Sequence, residues 1–389
     1  MLRLHNIKLP LSYHSKSLIQ AAAKALGVSQ SAVERCEISK KSVDARKKND
    51  VCFVVALDVT LKNPQDEKRI AARLTPSVGG LTAPYTPPAV IKLERAPDVR
   101  PIVVGFGPAG LFAALTLAEA GACPIVLERG QDVDIRTRDV HAYWSRGAEA
   151  FSPSSNVQFG EGGAGTFSDG KLNTGTKDPR GEHILRTFVR FGAPHDILID
   201  AKPHIGTDKL CGVVKAMRMR ILELGGEVRF GARLTSVLHS NGHVTAVRYI
   251  DAQGEQELPA ESVILAIGHS ARDTFESLLA GGITLVQKPF SIGARIEHPQ
   301  SLINALQYGA AASHPALGAA DYKLALHLPG GRSVYTFCMC PGGTVVAAAS
   351  EPDSVVTNGM SYYARDGVNA NSALLVGIGP EDFGSEHPL

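Results

Sequence analysis

The sequence predicts an α/β fold centred on a parallel sheet, with a small α+β domain before it and a β-rich domain after it. Three observations lead to this prediction. Residues 102–104 are a β-branched run without a polar side chain, which is typical of a parallel strand buried on both faces. Glycines at 105, 107 and 110 follow directly and open a helix-like stretch rich in Ala and Leu. From residue 285 to the end, strand patterns replace helical ones.

The glycine turn carries the most specific signal in the chain. Gly105 permits a tight turn, Gly107 lets the backbone approach a pyrophosphate, and Gly110 lets the helix pack closely on the strand. Pro108 and Ala109 lie between them. The spacing predicts a dinucleotide-binding turn.

The residues after the turn complete this unit in order. Residues 111–120 predict a helix that ends at Gly121, and its N-terminus would offer free N–H groups and partial positive charge to phosphates. Residues 125–127 predict the second strand. Glu128 lies 18 positions after Gly110, where an acidic side chain can accept hydrogen bonds from ribose hydroxyls. Together these elements predict a Rossmann-like domain.

A membrane span is the alternative for this stretch. Residues 101–118 are 18 positions without a charge, which is the minimum length of a transmembrane helix. Three glycines and two prolines crowd its first half, and Glu119 closes it. A soluble, buried strand–helix unit is therefore favoured.

Composition sets the broad class of protein. A length of 389 residues suggests about two or three domains, and a net charge of +2 gives no polyanion-binding signature. The six cysteines include no Cys-x-x-Cys pair, which favours free thiols in a reducing compartment over a disulfide framework or a metal site. Residues 1–10 carry charges and show no signal-peptide pattern, so we expect a cytoplasmic protein.

Residues 1–62 predict the small α+β domain. Strands are expected at 2–9, 36–43 and 51–61, a helix at 17–26 ending at Gly27, and a short helix from Ser29 through Arg35. Five basic residues lie between the later strands: Lys40, Lys41, Arg46, Lys47 and Lys48. A solvated loop is favoured over contact with nucleic acid or an acidic partner because no aromatic residues are interleaved.

Residues 63–98 predict a helix around 66–74 and then an extended, Pro-rich linker. This segment marks the boundary before the cofactor domain, which we place at residues 99–284.

A second glycine-dense stretch lies at residues 159–172, with five glycines in 11 positions. So few side chains indicate that backbone approaches a flat or phosphorylated group. Phe159, Phe167 and Leu172 argue against a flexible surface loop. The residues expected to line a flavin are Gly163, Gly165, Thr166, Ser168, Asp169 and Lys171.

The middle of the chain predicts helices at 182–191 and 208–224, and then a β-meander at 227–238, 243–250 and 255–258. Residues 262–270 predict a buried strand that returns to the parallel sheet beside the first one. Its Ala266 and Gly268 would let the cofactor lie across them, although a plain buried strand end is the alternative.

Residues 285–389 predict the β-rich substrate domain, with strands at 290–296, 324–328, 333–339 and 344–348. Residues 358–365 and 369–372 read as polar loops. Cys338 and Cys340 alternate along one strand, which would place both thiols on one face. Two small buried hydrophobic residues are favoured over a redox pair because no basic residue lies within several positions.

The chain resembles a bacterial family of FAD-dependent dehydrogenase-like proteins, often labelled NAD(FAD)-utilising dehydrogenases. The resemblance covers the chain almost continuously, and its motifs are residues 104–111, 128–130, 159–172, 266–273, 293–300 and 337–343. It implies a glutathione-reductase-like FAD domain, an inserted substrate domain and a separate N-terminal domain. No catalytic residue follows from it.

These inferences together predict an FAD-dependent oxidoreductase that acts on an unidentified small-molecule substrate by flavin-mediated hydride or electron transfer. The glycine turn would hold the FAD pyrophosphate, and Glu128 and Arg129 the adenosine end. Only one Gly-x-Gly-x-x-Gly directly follows a predicted strand and opens a predicted helix, so a second Rossmann domain for NAD(P)H is not expected. NAD(P)H would have to bind transiently at the flavin as reductant, or the reductant is another molecule. The alternatives are an RNA-associated flavoprotein that uses the basic N-terminal domain and a non-catalytic flavin-binding fragment.

The C-terminal residues predict a truncated chain. Related flavoproteins return to the FAD domain through another glycine-rich turn and helix, whereas this sequence ends at Leu389 within the substrate domain. Residues 377–380 do not supply that element because no apolar helix follows them. Oligomeric state is left unassigned.

Overall fold

The computed structural model describes residues 1–176 and 178–389. It is a mixed α/β structure with several separate sheets. Along the described residues, the helices are too short or too polar to cross a bilayer.

The N-terminal region is an antiparallel sheet covered by helices. Its elements are β1 (Leu2–Leu9), α1 (Ser15–Leu26), β2 (Val33–Asp44), β3 (Cys52–Leu61), α2 (Pro64–Ala71) and β4 (Gly79–Leu81). The strand order is β2-β3-β1-β4. Alternate residues of β3, among them Val55 and Leu57, are buried against α1 side chains such as Ala22 and Leu26. Alternation of this kind is the signature of a sheet with one covered face.

Two predictions for this region are corrected. The helix predicted from Ser29 through Arg35 is wrong: a single 3-10 turn, Gln30–Ala32, leads straight into β2. The turn stops there because Val33 pairs with Leu61 across the sheet, and β-branched Val favours strand over helix. Residues 79–81, which the sequence assigns to the linker, pair with β1 as an edge strand.

The central region is a parallel sheet with a helical layer on one face and a β layer on the other. Its elements are β5 (Ile102–Val104), α3 (Pro108–Ala120), β6 (Ile125–Glu128), α4 (Val133–Arg146), α5 (Arg180–Arg190), α6 (Thr207–Glu223), β7 (Glu227–Phe230), β8 (Arg233–Ser240), β9 (His243–Asp251), β10 (Gly254–Pro259), β11 (Val263–Leu265) and α7 (Arg272–Ala280). The parallel order is β11-β5-β6-β7.

Side-chain alternation along β5 explains the layers. Val103 faces α3 and α6, where it packs in a cluster with Leu111 and Met217. Ile102 and Val104 face the other way, into a cluster with residues of β8 and β9. Because both faces of this strand are covered, the strand tolerates only apolar residues. The return of β11 beside β5 confirms the predicted pairing of this strand with the first one. The prediction of a buried strand over 262–270 is wrong, because β11 covers only Val263–Leu265 and lies at the sheet edge, where Ile264 and Leu265 are exposed.

The predicted meander is partly wrong. Residues 227–238 were expected as its first strand, but Gly231 divides them: β7 joins the parallel sheet beside β6, and β8 begins the antiparallel layer of order β10-β9-β8. Gly231 has a φ of +67°, a backbone conformation that glycine adopts readily. The chain therefore changes sheets at this residue.

The C-terminal region is strand-rich. Its elements are β12 (Phe290–Pro299), α8 (Gln300–Tyr308), β13 (Ala325–His327), β14 (Ser333–Cys340), β15 (Thr344–Ala347), β16 (Thr357–Met360) and β17 (Asn369–Ile378). An antiparallel sheet has the order β12-β17-β14-β13, and β15 pairs with β16. The loop prediction for 369–372 is wrong because these residues begin the central strand β17, where Asn371 and Ser372 are fully buried.

Polar contacts join the three regions. Lys41 of β2 exchanges two backbone hydrogen bonds with residues 199 and 201, each 2.8 Å long, and Lys48 Nζ donates to Gln307 O at 2.6 Å. Trp144 Nε1 of α4 donates to Ala347 O at 2.9 Å. Two of the five clustered basic residues are thus docked against other parts of the chain.

Candidate functional site

A cavity of about 630 Å³ opens at the carboxyl edge of the parallel sheet. Parallel strands end together at this edge, and ligands of such sheets bind there. The loops after β5, β6 and β11 all line the cavity. The predicted site residues found in its lining are Gly105, Gly107, Pro108, Ala109, Glu128, Arg129, Gly163, Gly165, Ala266 and Gly268.

The three positions of the turn are occupied by glycine for different structural reasons. Gly105 has a φ of +92°, and a Cβ there would lie 2.4 Å from the carbonyl oxygen of Ala266. A Cβ at Gly110 would lie 1.9 Å from the carbonyl oxygen of Gly105. Both residues are therefore glycine because the protein's own backbone leaves no room.

Gly107 is different. Its φ is −71°, which any residue adopts, and the nearest atom to a Cβ there is Gly163 Cα at 3.6 Å. Protein packing alone would accept a side chain at this position. Since Gly107 caps α3 and lines the cavity, the space that it leaves open lies beside the free N–H groups of the helix N-terminus.

Glu128 fastens the two glycine-rich loops together. Its carboxylate, 4% exposed, accepts backbone hydrogen bonds from Phe106 at 2.6 Å, Gly130 at 2.8 Å and Gly160 at 3.0 Å. A carboxylate has about four lone-pair sites, so roughly one remains for another donor. The sequence predicts only the ribose contact and misses this structural task.

Arg129 is held in place from two sides. Its Nη2 donates to Asp273 Oδ1 at 2.8 Å and to Thr274 Oγ1 at 2.7 Å, and its guanidinium lies 4.4 Å from the centre of the Phe159 ring. Burial raises the pKa of Asp273, but Arg129 and Arg233 outweigh it and hold that pKa below its usual range. This network joins the end of β6 to α7.

A buried arginine that the sequence did not single out shapes the second glycine loop. Arg136 of α4 is fully buried, and its five N–H groups donate to the carbonyl oxygens of residues 156, 157, 160, 161 and 163 at 2.6 to 3.3 Å. Five is the full donor capacity of a guanidinium. Burial lowers the pKa of Arg136 to about 10, which leaves it charged at neutral pH. The signal that the sequence offered for this role was an arginine on a helix, followed along the chain by a glycine-rich loop whose carbonyl groups need donors.

Four predicted flavin-side residues lie outside the lining of this cavity. Ser168 donates to Gly165 O at 2.7 Å, and Thr166 is fully buried, with its hydroxyl unpartnered among the described residues. Asp169 is fully buried between two cations, Lys171 at 2.6 Å and Arg365. Lys171 continues from there to the C-terminal sheet, where its Nζ lies 3.8 Å from Cys340 Sγ.

Comparisons with known sequences agree with this arrangement. Residues 100–164 match an FAD binding domain, residues 289–389 match a family described as FAD-dependent protein, C-terminal domain-like, and residues 1–60 match a domain of unknown function (DUF8436). An uncharacterized protein of Clostridium beijerinckii is 46% identical over all 389 residues and is covered over 71% of its own length.

Solved structures show weaker likeness. The FAD complex of glycerol-3-phosphate dehydrogenase from Bacillus halodurans is 12% identical over 73% of this chain, with a TM-score of 0.35. Anhydrotetracycline hydroxylase OxyS from Streptomyces rimosus is 18% identical over 72%, with a TM-score of 0.31. The chain spans 48% and 45% of these two proteins, and TM-scores this low carry no argument about function.

The Clostridium match covers every residue of this chain, and two separate regions match FAD-related domains. The chain belongs to the same family as the Clostridium protein, a family of FAD-dependent proteins, and FAD is its cofactor.

Proposed function

We propose that this chain is a dehydrogenase-like oxidoreductase whose Rossmann-like domain, residues 99–284, binds FAD in the cavity at the carboxyl edge of the parallel sheet. The single observation that carries the proposal is Gly107. Gly107 lines the cavity, and it is the one glycine of the turn where a Cβ would meet protein backbone only at ordinary contact distance, 3.6 Å from Gly163 Cα. A phosphate group at the N-terminus of α3 would require that open space.

The remaining residues of the cavity suit the rest of the cofactor. Gly105, Pro108, Ala109 and Gly110 form the turn around the pyrophosphate. Glu128, with roughly one acceptor site left, and Arg129 would hold the adenosine end. Gly163 and Gly165, together with Ala266 and Gly268, present backbone with little side chain to a flat ring.

The four other predicted flavin-side residues do not contact the cofactor in this proposal: Thr166, Ser168, Asp169 and Lys171. None is in the cavity lining, so we assign them to the support of the flavin-side loop. Asp169 binds the loop to the segment before β17 through Arg365.

When bound, FAD would supply the redox chemistry: it would take two electrons as hydride from NAD(P)H as transient reductant and pass them on to the substrate. The chain's own residues fix the cofactor, exclude water through the apolar layer around β5 and present the loop 159–172. The β-rich region, residues 285–389, would provide the substrate side. Its substrate is a small molecule whose class the cavity does not define.

The first experiment is a spectrum. The purified chain, reconstituted with FAD, should show a flavin absorbance band, and denaturation should release a yellow chromophore. Anaerobic addition of NADH or NADPH should bleach the bound flavin. A chain that retains no flavin after reconstitution would contradict the cavity assignment, and a bound flavin that neither nucleotide bleaches would contradict the dehydrogenase-like part.

A further inference from the structure

A second group of reactive side chains lies on the C-terminal sheet, outside the cavity lining. We call it the thiol site and define it as Cys338, Cys340, Lys171 and Arg295. Cys340 Sγ donates a hydrogen bond to the carbonyl oxygen of Cys338 at 3.2 Å. Lys171 Nζ is 3.8 Å from Cys340 Sγ, and Arg295 Nη1 donates to Cys338 O at 3.3 Å.

These contacts overturn the sequence argument about the two cysteines. No basic residue is near them along the chain, but Lys171 is 169 positions from Cys340 and Arg295 is 43 positions from Cys338. Folding brings Lys171 to the sulfur of Cys340 and Arg295 to the backbone carbonyl oxygen of Cys338. The interpretation as two inert buried hydrophobic residues does not explain why they should be placed there.

The backbone of the thiol site is irregular where a plain strand would be regular. The pairing of β14 with β17 slips between Phe337 and Cys340, which is a β-bulge. Cys338 sits in this bulge with a φ of +46°. Positive φ at a residue other than glycine is uncommon, costs energy and concentrates at functional positions. The bulge also replaces the simple alternation by which the sequence placed both thiols on one face.

The surroundings favour one negative charge shared by the two sulfurs. Hydrogen bonding from the neighbouring Cys340 thiol lowers the pKa of the Cys338 thiol. Lys171 and Arg295 lower it further, against burial and against the Asp169 carboxylate, which raise it. The same hydrogen bond and burial raise the pKa of Cys340. Lys171 touches Cys340, but Cys340 is completely buried and Cys338 is partly exposed, so the charge rests on Cys338, where solvent also reaches it.

Hydrogen-bond donors without partners next to the thiol site also favour a negative charge on sulfur. Asn371 is fully buried and pairs with Cys340 across the sheet. Its side-chain amide nitrogen and the Nε of Arg295 both lack a hydrogen-bond partner among the described residues. Buried donors without acceptors are costly and rare. Their presence here suits a site that holds negative charge on sulfur during turnover.

We propose that Cys338 and Cys340 form a thiol–disulfide exchange centre, with Cys338 as the attacking thiolate and Cys340 as the resolving thiol, acting on disulfides. This activity goes beyond the proposed flavin chemistry and does not depend on where FAD binds. Lys171 and Arg295 are positioning residues that stabilise the thiolate.

The exchange balances without another reactant. The Cys338 thiolate attacks one sulfur of a disulfide RS–SR, a mixed disulfide forms and one RS⁻ leaves. Cys340 then loses its proton and attacks Cys338 Sγ, and the second RS⁻ leaves with that proton. Overall, two protein thiols are oxidised to one Cys338–Cys340 disulfide, and one RS–SR is reduced to two RSH.

Alkylation of the full chain tests the attacking thiol. Iodoacetamide, followed by peptide mass spectrometry, should modify Cys338 at pH 7 more than about ten-fold faster than Cys36, which is also partly exposed but whose pKa burial raises to about 11. Lys171→Met should slow the reaction of Cys338, and Lys171→Arg should restore it. Equal rates for Cys338 and Cys36 would overturn the proposal.

Glutathione disulfide is the probe that tests the resolving thiol, and the experiment is done both with and without FAD. The native chain should form the intrachain Cys338–Cys340 disulfide, whereas Cys340→Ser should accumulate a glutathione adduct at Cys338, and Cys338→Ser should accumulate none at Cys340. A stable glutathione adduct on the native chain, or adducts spread evenly over the exposed cysteines, would overturn it. Loss of flavin binding in these variants would instead count against the proposed function.

Discussion

Arg136 shows at the scale of single residues how the site is built. Its five hydrogen bonds all end on carbonyl oxygens of the loop that reaches the cavity. Sequence pattern registers it only as one polar residue of a helix, because nothing local indicates which carbonyls it meets. Gly105 and Gly110 were predictable, since their need for space arises within a few residues of chain.

Arg136→Met tests this role. The change removes every donor from five buried carbonyls, so we expect the free energy of unfolding to fall by about 3 kcal/mol or more and FAD retention to be lost. Arg138→Met is the matched control, since Arg138 is on the same helix but exposed, and we expect a change within about 0.5 kcal/mol. Urea unfolding of both variants measures the two changes in the free energy of unfolding. Equal stability of the two variants would contradict the role assigned to Arg136.

Glu128 is a second residue whose position was predictable but whose hydrogen-bond partners were not. Its position at the end of β6 was predicted from spacing, and the structure puts it in the cavity. The three backbone N–H groups that donate to it, from Phe106, Gly130 and Gly160, come from three loops, which no spacing rule reveals. Position is a local property of the sequence, whereas the choice of partners is a property of the fold.

Among the elements, the strand–turn–helix unit of β5 and α3 was predictable because its signals are all local. The errors concern partners that are distant in sequence. β7 was read as part of the meander, yet it pairs with β6. β17 was not predicted, and its start at 369–372 was assigned to a polar loop. Residues 370–372 are buried there because the strand pairs with β12 and β14.

Asp169 links two such elements, the second glycine loop and the segment before β17, through Lys171 and Arg365. Burial raises its pKa, but the two cations outweigh burial and lower it below the usual value. A pKa lowered in the folded state gives stability that is complete above the unfolded pKa of about 4 and is lost as pH falls through the folded value.

Asp169→Asn should therefore destabilise the protein by about 3 kcal/mol at pH 7, because two cations lose a buried partner, and the difference from the native chain should shrink toward about pH 3. Asp66→Asn is the control: Asp66 pairs with Arg69 on the surface, and we expect less than about 1 kcal/mol. Denaturant unfolding at both pH values measures the difference. A difference that grows in acid would show that Asp169 is protonated in the native protein.

The whole molecule is organised around the parallel sheet. The N-terminal sheet docks through Lys41 on residues 199–201, and the C-terminal sheet docks through contacts such as Trp144 with Ala347. The mixed α/β class of these sheets followed from composition and pattern. Their docking did not, because single backbone hydrogen bonds between distant segments leave no periodic signal in the sequence.

The central claim is that the FAD pyrophosphate lies at Gly107. The most direct measurement is the FAD dissociation constant of Gly107→Val beside that of Gly212→Ala, a control on α6 at an exposed position where a Cβ meets no atom within 4 Å. We predict that Gly107→Val weakens FAD binding about 100-fold or more, equivalent to about 2.7 kcal/mol, while the apoprotein unfolds at the same temperature as the control. Native affinity in a folded Gly107→Val chain would contradict the account.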